Sequence, residues 1–242
     1  MNRDTQSIVL VLLGGALLRI SVGETYLRYV KESLQPFLIA SGVLLVALGV
    51  ISLVRDNRRR SAESSHSGGH DHAHGPKVAW LLLLPVLAIF LVAPPALGSY
   101  AAARDDAEIA EPESLPAFPP LPLPAAGVDW APLSLTNYYV RAVWDDGASL
   151  IGRPIRLVGF VTERPGGGFY LTRLRIACCA ADSQPVKVVI RTDDVVPAVD
   201  TWLEVTGSYA PAVANAAEGY DEPVLTAVTM DVIPAPENPY EN

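Results

Sequence analysis

Two strand-like runs in the second half of this chain are joined by the stretch Arg175-Ile176-Ala177-Cys178-Cys179-Ala180-Ala181-Asp182-Ser183-Gln184-Pro185. The run before it covers residues 169–176, and the run after it covers residues 186–190. The stretch holds the only two cysteines of the 242-residue chain, side by side. Consecutive short runs of apolar, β-branched and aromatic residues predict a β fold for this part of the chain, with both thiols close to a connection between strands.

Five strand candidates follow one another after residue 133, separated by turn-forming residues: 154–162, 168–177, 185–191, 201–209 and 224–233. A short helix is predicted before them at 134–144, where Ser134 can cap the first turn and an apolar stripe follows. Glycines inside the first and fourth strand candidates permit the sharp coiling of OB-fold strands. We therefore expect residues 133–242 to form an all-β, OB-like five-stranded barrel with one short helix.

The apolar residues of the chain, which make up 50% of it, crowd into the first hundred positions. Three runs, at about 7–26, 37–54 and 78–97, are each close to the ~20 residues that an α-helix needs to cross a bilayer. The sequence therefore predicts a transmembrane region of three helices over residues 1–100. It also predicts a multi-pass protein of the cell membrane, in contact with lipid.

Basic residues in the short loops predict the orientation, because cytoplasmic loops carry an excess of Lys and Arg. The loop at 55–77 contains five of them: Arg55, Arg58, Arg59, Arg60 and Lys77. We expect this loop and the N-terminus to be cytoplasmic. The domain after the third helix is then extracytoplasmic.

Arg19 is the one charged residue in the most apolar part of the first run, residues 7–23. An ionisable side chain within a membrane helix is a candidate for a functional contact, here with a partner subunit. The alternative is that the long side chain reaches the outer headgroups and only its stem contacts lipid.

All four histidines of the chain fall within the cytoplasmic loop, in a stretch that is otherwise rich in Gly and Ser: His66, His70, His72 and His74. Neutral imidazole is a good ligand for zinc and other transition metals such as copper and nickel. The loop therefore predicts weak metal binding, with a solvated polar linker as the alternative.

Residues 101–132 combine five acidic side chains in their first half with seven prolines. Such a composition is typical of an extended, semi-rigid spacer. We expect this segment to be a linker between the membrane region and the barrel.

The adjacent cysteines leave three interpretations open. If both continue a strand, their side chains alternate, so that one thiol is buried and the other exposed. A bend after them would instead let Cys178 and Cys179, with Asp182, form a thiolate site for a soft metal or a redox partner. A disulfide between neighbours is permitted outside the cytoplasm but is geometrically poor.

The composition argues against several classes of protein. A net charge of −8 disfavours nucleic acid as a partner, since protein surfaces that bind nucleic acid are basic. Every histidine lies across the predicted membrane from the barrel, so no serine–histidine pair is available there. Paired acids in predicted turns, such as Asp221-Glu222, are expected to be solvated turn formers. We therefore expect a protein that is not an enzyme.

The run Arg-Ile-Ala-Cys-Cys-Ala-Ala-Asp-Ser-Gln-Pro-Val at 175–186 resembles the signature of the YcgQ-type permease subunits. Ser183 departs from this signature, in which a small residue, commonly alanine, stands at that position. The resemblance implies an accessory subunit of a membrane permease complex, paired with a larger subunit of the YcgR/YraQ type. Two alternatives are a membrane-anchored thiol protein in redox or metal delivery, and a structural tether of the cell envelope.

Overall fold

The computed structural model of the protein describes residues 3–63, 95–104, 109, 118–123, 127–215 and 219–241. The chain divides into two compact units, Met1–Pro95 and Ala96–Asn242. The first is helical in its described part. The second is a β-barrel with short helices.

The first unit contains two long helices, α1 (Arg3–Val22) and α2 (Gln35–Glu63), joined by two short 3-10 turns. Within the described residues, the stretch Glu32–Arg58 is long and apolar enough to cross a membrane, with a mean hydropathy of 2.7. The apolar helix Gln6–Val22 is shorter. The first predicted helix ends four residues earlier than expected, because the chain turns at Gly23.

The second predicted helix continues to Glu63 instead of ending at residue 54, so the arginines at 55 and 58–60 lie in α2 and not in the predicted loop. Of the third predicted helix, at 78–97, only residues 95–97 are among those described. That helix and the histidine loop therefore stay predictions.

Glycines bring α1 and α2 into close contact. A Cβ atom added to Gly14 would lie 2.7 Å from the carbonyl oxygen of Gly42, and one added to Gly49 would lie 2.7 Å from a methyl group of Val11. Backbones that approach this closely are typical of helix pairs in membranes, where small residues form the interface.

The barrel of the second unit is built from five principal strands and two short ones. Their bounds are β1 (Ala131–Pro132), β2 (Pro154–Glu163), β3 (Phe169–Arg175), β4 (Gln184–Arg191), β5 (Trp202–Asn215), β6 (Tyr220–Val232) and β7 (Tyr240–Glu241). Neighbours follow the order β2-β5-β6-β4-β3, and β3 pairs again with β2, which closes the barrel. The β4–β6 pair is parallel and the other principal pairs are antiparallel. The predicted five-stranded barrel with a short helix is confirmed.

Two glycines lie where strands of the barrel approach most closely. A Cβ atom at Gly207 would lie 2.3 Å from the carbonyl oxygen of Thr226, and one at Gly159 would lie 2.7 Å from that of Thr172. The coiling that the sequence indicated at these positions therefore depends on the missing side chains.

β5 and β6 extend beyond their predicted ends as a long hairpin, with register shifts at Thr206/Gly207 and Ala210/Val213. The sequence did not predict this extension, because prolines at 211 and 223 are unfavourable for regular strand pairing.

The predicted short helix is α4 (Leu135–Trp144), after a first short helix of this unit, α3 (Ser99–Ala102). The predicted cap is confirmed, since Ser134 Oγ accepts a hydrogen bond from the backbone N–H group of Asn137 at 3.1 Å. Leu135 and Tyr138 of α4 are fully buried in the main core.

The predicted linker at 101–132 is not a free spacer where the structure describes it. Leu121 is buried in the barrel core, and Arg141 donates a hydrogen bond to the carbonyl oxygen of Pro119 at 2.6 Å. β1 pairs with β2 and so belongs to the barrel. Within the described part of this segment, the prolines around Leu121 did not prevent packing.

Candidate functional site

The connection between β3 and β4 carries both cysteines, and the two strands fix its ends. Arg175, the last residue of β3, pairs in register with Gln184, the first residue of β4. The Nη2 group of Arg175 donates to Oε1 of Gln184 at 2.8 Å. Between them the chain leaves the strand at Ile176 and forms a 3-10 turn over Ala180–Asp182. The cysteines therefore lie in a short loop that is held by the sheet on both sides.

The carboxylate of Asp182 organises this loop. Its Oδ1 accepts a hydrogen bond from the backbone N–H group of Ala177 at 2.8 Å. Its Oδ2 accepts from the N–H groups of Cys178 at 2.8 Å and Cys179 at 3.2 Å. A hydrogen bond from the Cys178 thiol, followed by these backbone donors, lowers the pKa of Asp182 to about 2. The carboxylate is therefore ionised at neutral pH.

The same loop brings three potential metal ligands together. The Sγ atoms of Cys178 and Cys179 and a carboxylate oxygen of Asp182 all lie within 4.8 Å of one another. Cys178 is exposed and Cys179 is half-buried. Hydrogen bonds with Asp182 and then Cys179 raise the pKa of the Cys178 thiol to about 12, so that it keeps its proton at neutral pH. This cluster is the candidate site.

The interpretation of the cysteines as one buried and one exposed strand residue is wrong, because β3 ends before it reaches them. Extended alternation stops at Arg175, and the bend at Ala177 and Cys178 turns the chain toward Asp182. Neither thiol is fully buried, and neither takes part in a disulfide bond.

The other predicted site residues lie elsewhere. Arg19 is exposed in the last turn of α1, where a positive charge is favourable next to the carbonyl end of the helix. The four histidines are outside the described residues: His66, His70, His72 and His74. Their metal binding stays a prediction.

A second polar cluster, which the sequence did not indicate, lies at the other end of β3. The buried carboxylate of Glu222 accepts hydrogen bonds from Arg164 Nη2 at 2.8 Å, from Asn215 Nδ2 at 2.9 Å and from the hydroxyl of Tyr170. The expectation that Glu222 is a solvated turn former is therefore wrong, since it lies inside β6. The sequence could not indicate this cluster, because its members come from distant segments and no spacing pattern connects them. Both carboxylate oxygens have partners, which indicates that the cluster is structural.

Two models of a single family match the chain. A model of the DUF1980 N-terminal domain matches residues 5–106, and a model of the DUF1980 C-terminal domain matches residues 137–241. The second match covers the five principal strands of the barrel, β7 and the cysteine loop. Neither a curated protein nor a solved structure matches the chain.

Proposed function

This chain carries both the N-terminal and the C-terminal domain of the DUF1980 family, and we propose that it is an accessory subunit of a membrane permease complex. The N-terminal helices anchor it in the cell membrane. The barrel meets the substrate or a partner on the extracytoplasmic side. The resemblance of residues 175–186 to YcgQ-type permease subunits supports this proposal and suggests a larger YcgR/YraQ-type subunit as the partner.

The observation that carries the proposal is the apolar helix pair of the first unit. Phe37 and Leu44 on α2 are 69% and 58% exposed, and further apolar residues of both helices are also exposed. An apolar surface of this kind needs lipid or another protein to cover it. The glycine contacts between α1 and α2 are of the type that holds helices together in a bilayer. Both features support membrane anchoring.

The same contacts are the reason to propose a larger partner. Around Gly14 the two helices approach so closely that a single added Cβ atom would meet the backbone of α2. At this level the pair leaves no space between its helices for a transported substrate, so a path that runs between them along their whole length would be closed. In the proposed complex a third helix at 78–97 completes the anchor, the arginines after residue 54 lie inside, and the larger subunit provides the path. Arg19 is the proposed contact with that subunit.

Purification of the tagged chain from its native membrane, followed by mass spectrometry, tests the proposal. We expect a larger multi-span membrane protein to be enriched with it. Arg19→Leu should lower the recovery of that protein, whereas Arg28→Leu, in the 3-10 turn after α1, should not. Release of the chain by an alkaline carbonate wash, or enrichment of no larger membrane protein, would contradict the proposal.

The cluster of Cys178, Cys179 and Asp182 favours a second candidate function, that of a membrane-anchored thiol protein in metal or redox delivery. Such a protein acts without a permease. The same purification distinguishes the two functions. A thiol protein that acts alone would be recovered without a multi-span partner, and its cysteines would still react or bind metal.

A further inference from the structure

We propose that Cys178, Cys179 and Asp182 form a binding site for one Zn²⁺ ion that is open to solvent and exchanges its ion readily. Thiolate sulfur and carboxylate oxygen are both ordinary zinc ligands. Sites with three protein ligands and a free fourth position are those at which zinc reacts or exchanges, whereas purely structural sites have four. As cargo of the permease, the ion would be the substrate of the complex; that role rests on the proposed function, but the binding does not.

The distances in the cluster are close to those of a zinc site. A Zn–S bond of about 2.3 Å in tetrahedral geometry places two sulfurs about 3.8 Å apart. The three ligand atoms already lie within 4.8 Å of one another, so the sulfur–sulfur distance must contract by about 1 Å at most, and each sulfur–oxygen distance by about 1.3 Å at most, to reach the zinc distances. Rotation of two side chains that are not fully buried is enough for a shift of this size.

Asp182 is held ready as a ligand by the loop itself. A carboxylate oxygen can accept two hydrogen bonds or ligands. Oδ2 already accepts from the backbone of Cys178 and Cys179, whereas Oδ1 accepts from one backbone donor, Ala177. The backbone donors therefore leave one acceptor position on Oδ1, for the thiol proton or for an ion that replaces it, and they orient the carboxylate in advance.

The binding step exchanges protons for the ion. Two Zn–S bonds form, the S–H bonds of Cys178 and Cys179 break, and two protons pass to water, with no change in oxidation state. The Cys178 thiol now donates to the carboxylate of Asp182, so a proton holds the position that the ion would take.

The carboxylate is the reason to assign zinc rather than a softer ion. Cu⁺ prefers thiolates and needs no oxygen ligand, whereas Zn²⁺ accepts sulfur and oxygen together. The contribution of Asp182 to the affinity therefore distinguishes the two ions.

Metal titration of the full chain in detergent micelles, under reducing conditions, tests the site. Four histidines that are also predicted to bind metal must first be replaced by alanine: His66, His70, His72 and His74. Co²⁺ serves as the probe, because its thiolate complexes absorb in the near ultraviolet, and Zn²⁺ is then added to displace it. We expect one Co²⁺ per chain with thiolate absorption. Cys178→Ser and Asp182→Asn should each weaken the affinity at least about tenfold, and Asp194→Asn, in an exposed turn, should not.

Several results would overturn the proposal. Co²⁺ binding without thiolate absorption, or Co²⁺ binding that Cys178→Ser leaves unchanged, would show that the cysteines do not form the site. A Co²⁺ affinity that Asp182→Asn leaves unchanged removes Asp182 as a ligand, and with it the three-ligand site that we assign to zinc. Circular dichroism shows whether the Asp182 variant is folded; if it is not, Cys178→Ser, which changes an exposed side chain, decides alone. Loss of the site leaves the co-purification result intact, so the two proposals fail separately.

Discussion

The carboxylate of Glu241 accepts a hydrogen bond from the backbone N–H group of Leu135 at 2.6 Å, across 106 positions of sequence. The same carboxylate accepts from the N–H group and the hydroxyl of Thr136 at 2.9 and 2.7 Å. The carbonyl oxygen of Glu241 accepts from the N–H group of Ile176 at 3.2 Å. One residue of β7 therefore joins the start of α4 to the base of the cysteine loop.

Glu241→Gln should destabilise the barrel. Hydrogen bonds to a charged group contribute about 1.5–3 kcal/mol each, and the negative charge also favours the N-terminus of α4. We expect a loss of about 2 kcal/mol or more in the free energy of unfolding, measured by thermal melting of the full chain in micelles. Glu237→Gln, in an exposed position of the same segment, should change it by less than about 0.5 kcal/mol. Equal melting of both variants would contradict the assigned role of Glu241.

Tyr138→Phe should remove a buried hydrogen bond, and it should also reduce the loss of folding stability at alkaline pH. The Tyr138 hydroxyl donates to the carbonyl oxygen of Val224, and loss of this buried hydrogen bond should cost about 0.5–1.5 kcal/mol. Burial raises the pKa of Tyr138 above its ordinary value of 10.0. The folded protein then keeps a proton that the unfolded chain loses, so stability falls as the pH rises above about 10.

Denaturant unfolding at pH 8 and pH 11 checks this prediction. Tyr209→Phe is the matched control, because the Tyr209 hydroxyl donates to the carbonyl oxygen of Asp146 in an exposed position. The difference in stability between the two pH values should shrink more in Tyr138→Phe than in Tyr209→Phe. An unchanged difference would show that Tyr138 ionises as readily in the fold as outside it.

Cys178 should react slowly with thiol reagents despite its exposure. In a Cys179→Ser background the alkylation rate should rise about tenfold for each pH unit above 8, because only the thiolate reacts and the pKa of Cys178 is raised to about 12. Asp182→Asn replaces the ionised carboxylate whose hydrogen bond is the largest cause of this shift, so alkylation at pH 8 should become faster. Fast alkylation of Cys178 at pH 8 with Asp182 intact would count against the thiol–carboxylate contact.

The cysteines also report on the side of the membrane that the barrel occupies, since the chain has only these two. A membrane-impermeant maleimide added to intact cells at alkaline pH should label the wild-type chain without lysis. The double variant Cys178→Ser/Cys179→Ser should stay unlabelled. Labelling that requires lysis would place the barrel in the cytoplasm and reverse the proposed orientation.

Gly14→Ala should weaken the helix pair, whereas Gly15→Ala should not. The new Cβ atom at position 14 would lie 2.7 Å from a backbone oxygen of α2, and one at position 15 would have no atom within 4 Å among the described residues. Overpacking of this kind costs about 1–3 kcal/mol. Unfolding in increasing dodecyl sulfate, followed by circular dichroism, should show an earlier transition for Gly14→Ala alone.

The barrel could be predicted from the sequence because its strands follow local patterns. Ser134 marked the cap of α4, and glycines at 159 and 207 marked the coiled strands. The short strands β1 and β7 could not be predicted, since two residues carry no periodicity and depend on pairing with distant segments. For the same reason, the capping role of Glu241 becomes visible only in the folded chain.

The candidate site could be predicted in its members but not in its geometry. Cys178, Cys179 and Asp182 were recognised from their proximity in the sequence. Their arrangement depends on the point at which β3 ends, and a shift of a few residues in a strand end is beyond what local patterns determine. The prediction of a buried thiol failed at this step.

The closed strand order of the barrel has a consequence for contacts between copies of the protein. Each of the five principal strands has a paired neighbour on both sides for part of its length, so its free backbone donors and acceptors are confined to one-sided segments. One such segment is the end of β5 after Ser208, which pairs with β6 alone among the described strands. Exposed strand edges promote aggregation where copies meet at high local concentration, and closure of the barrel limits that edge to such segments.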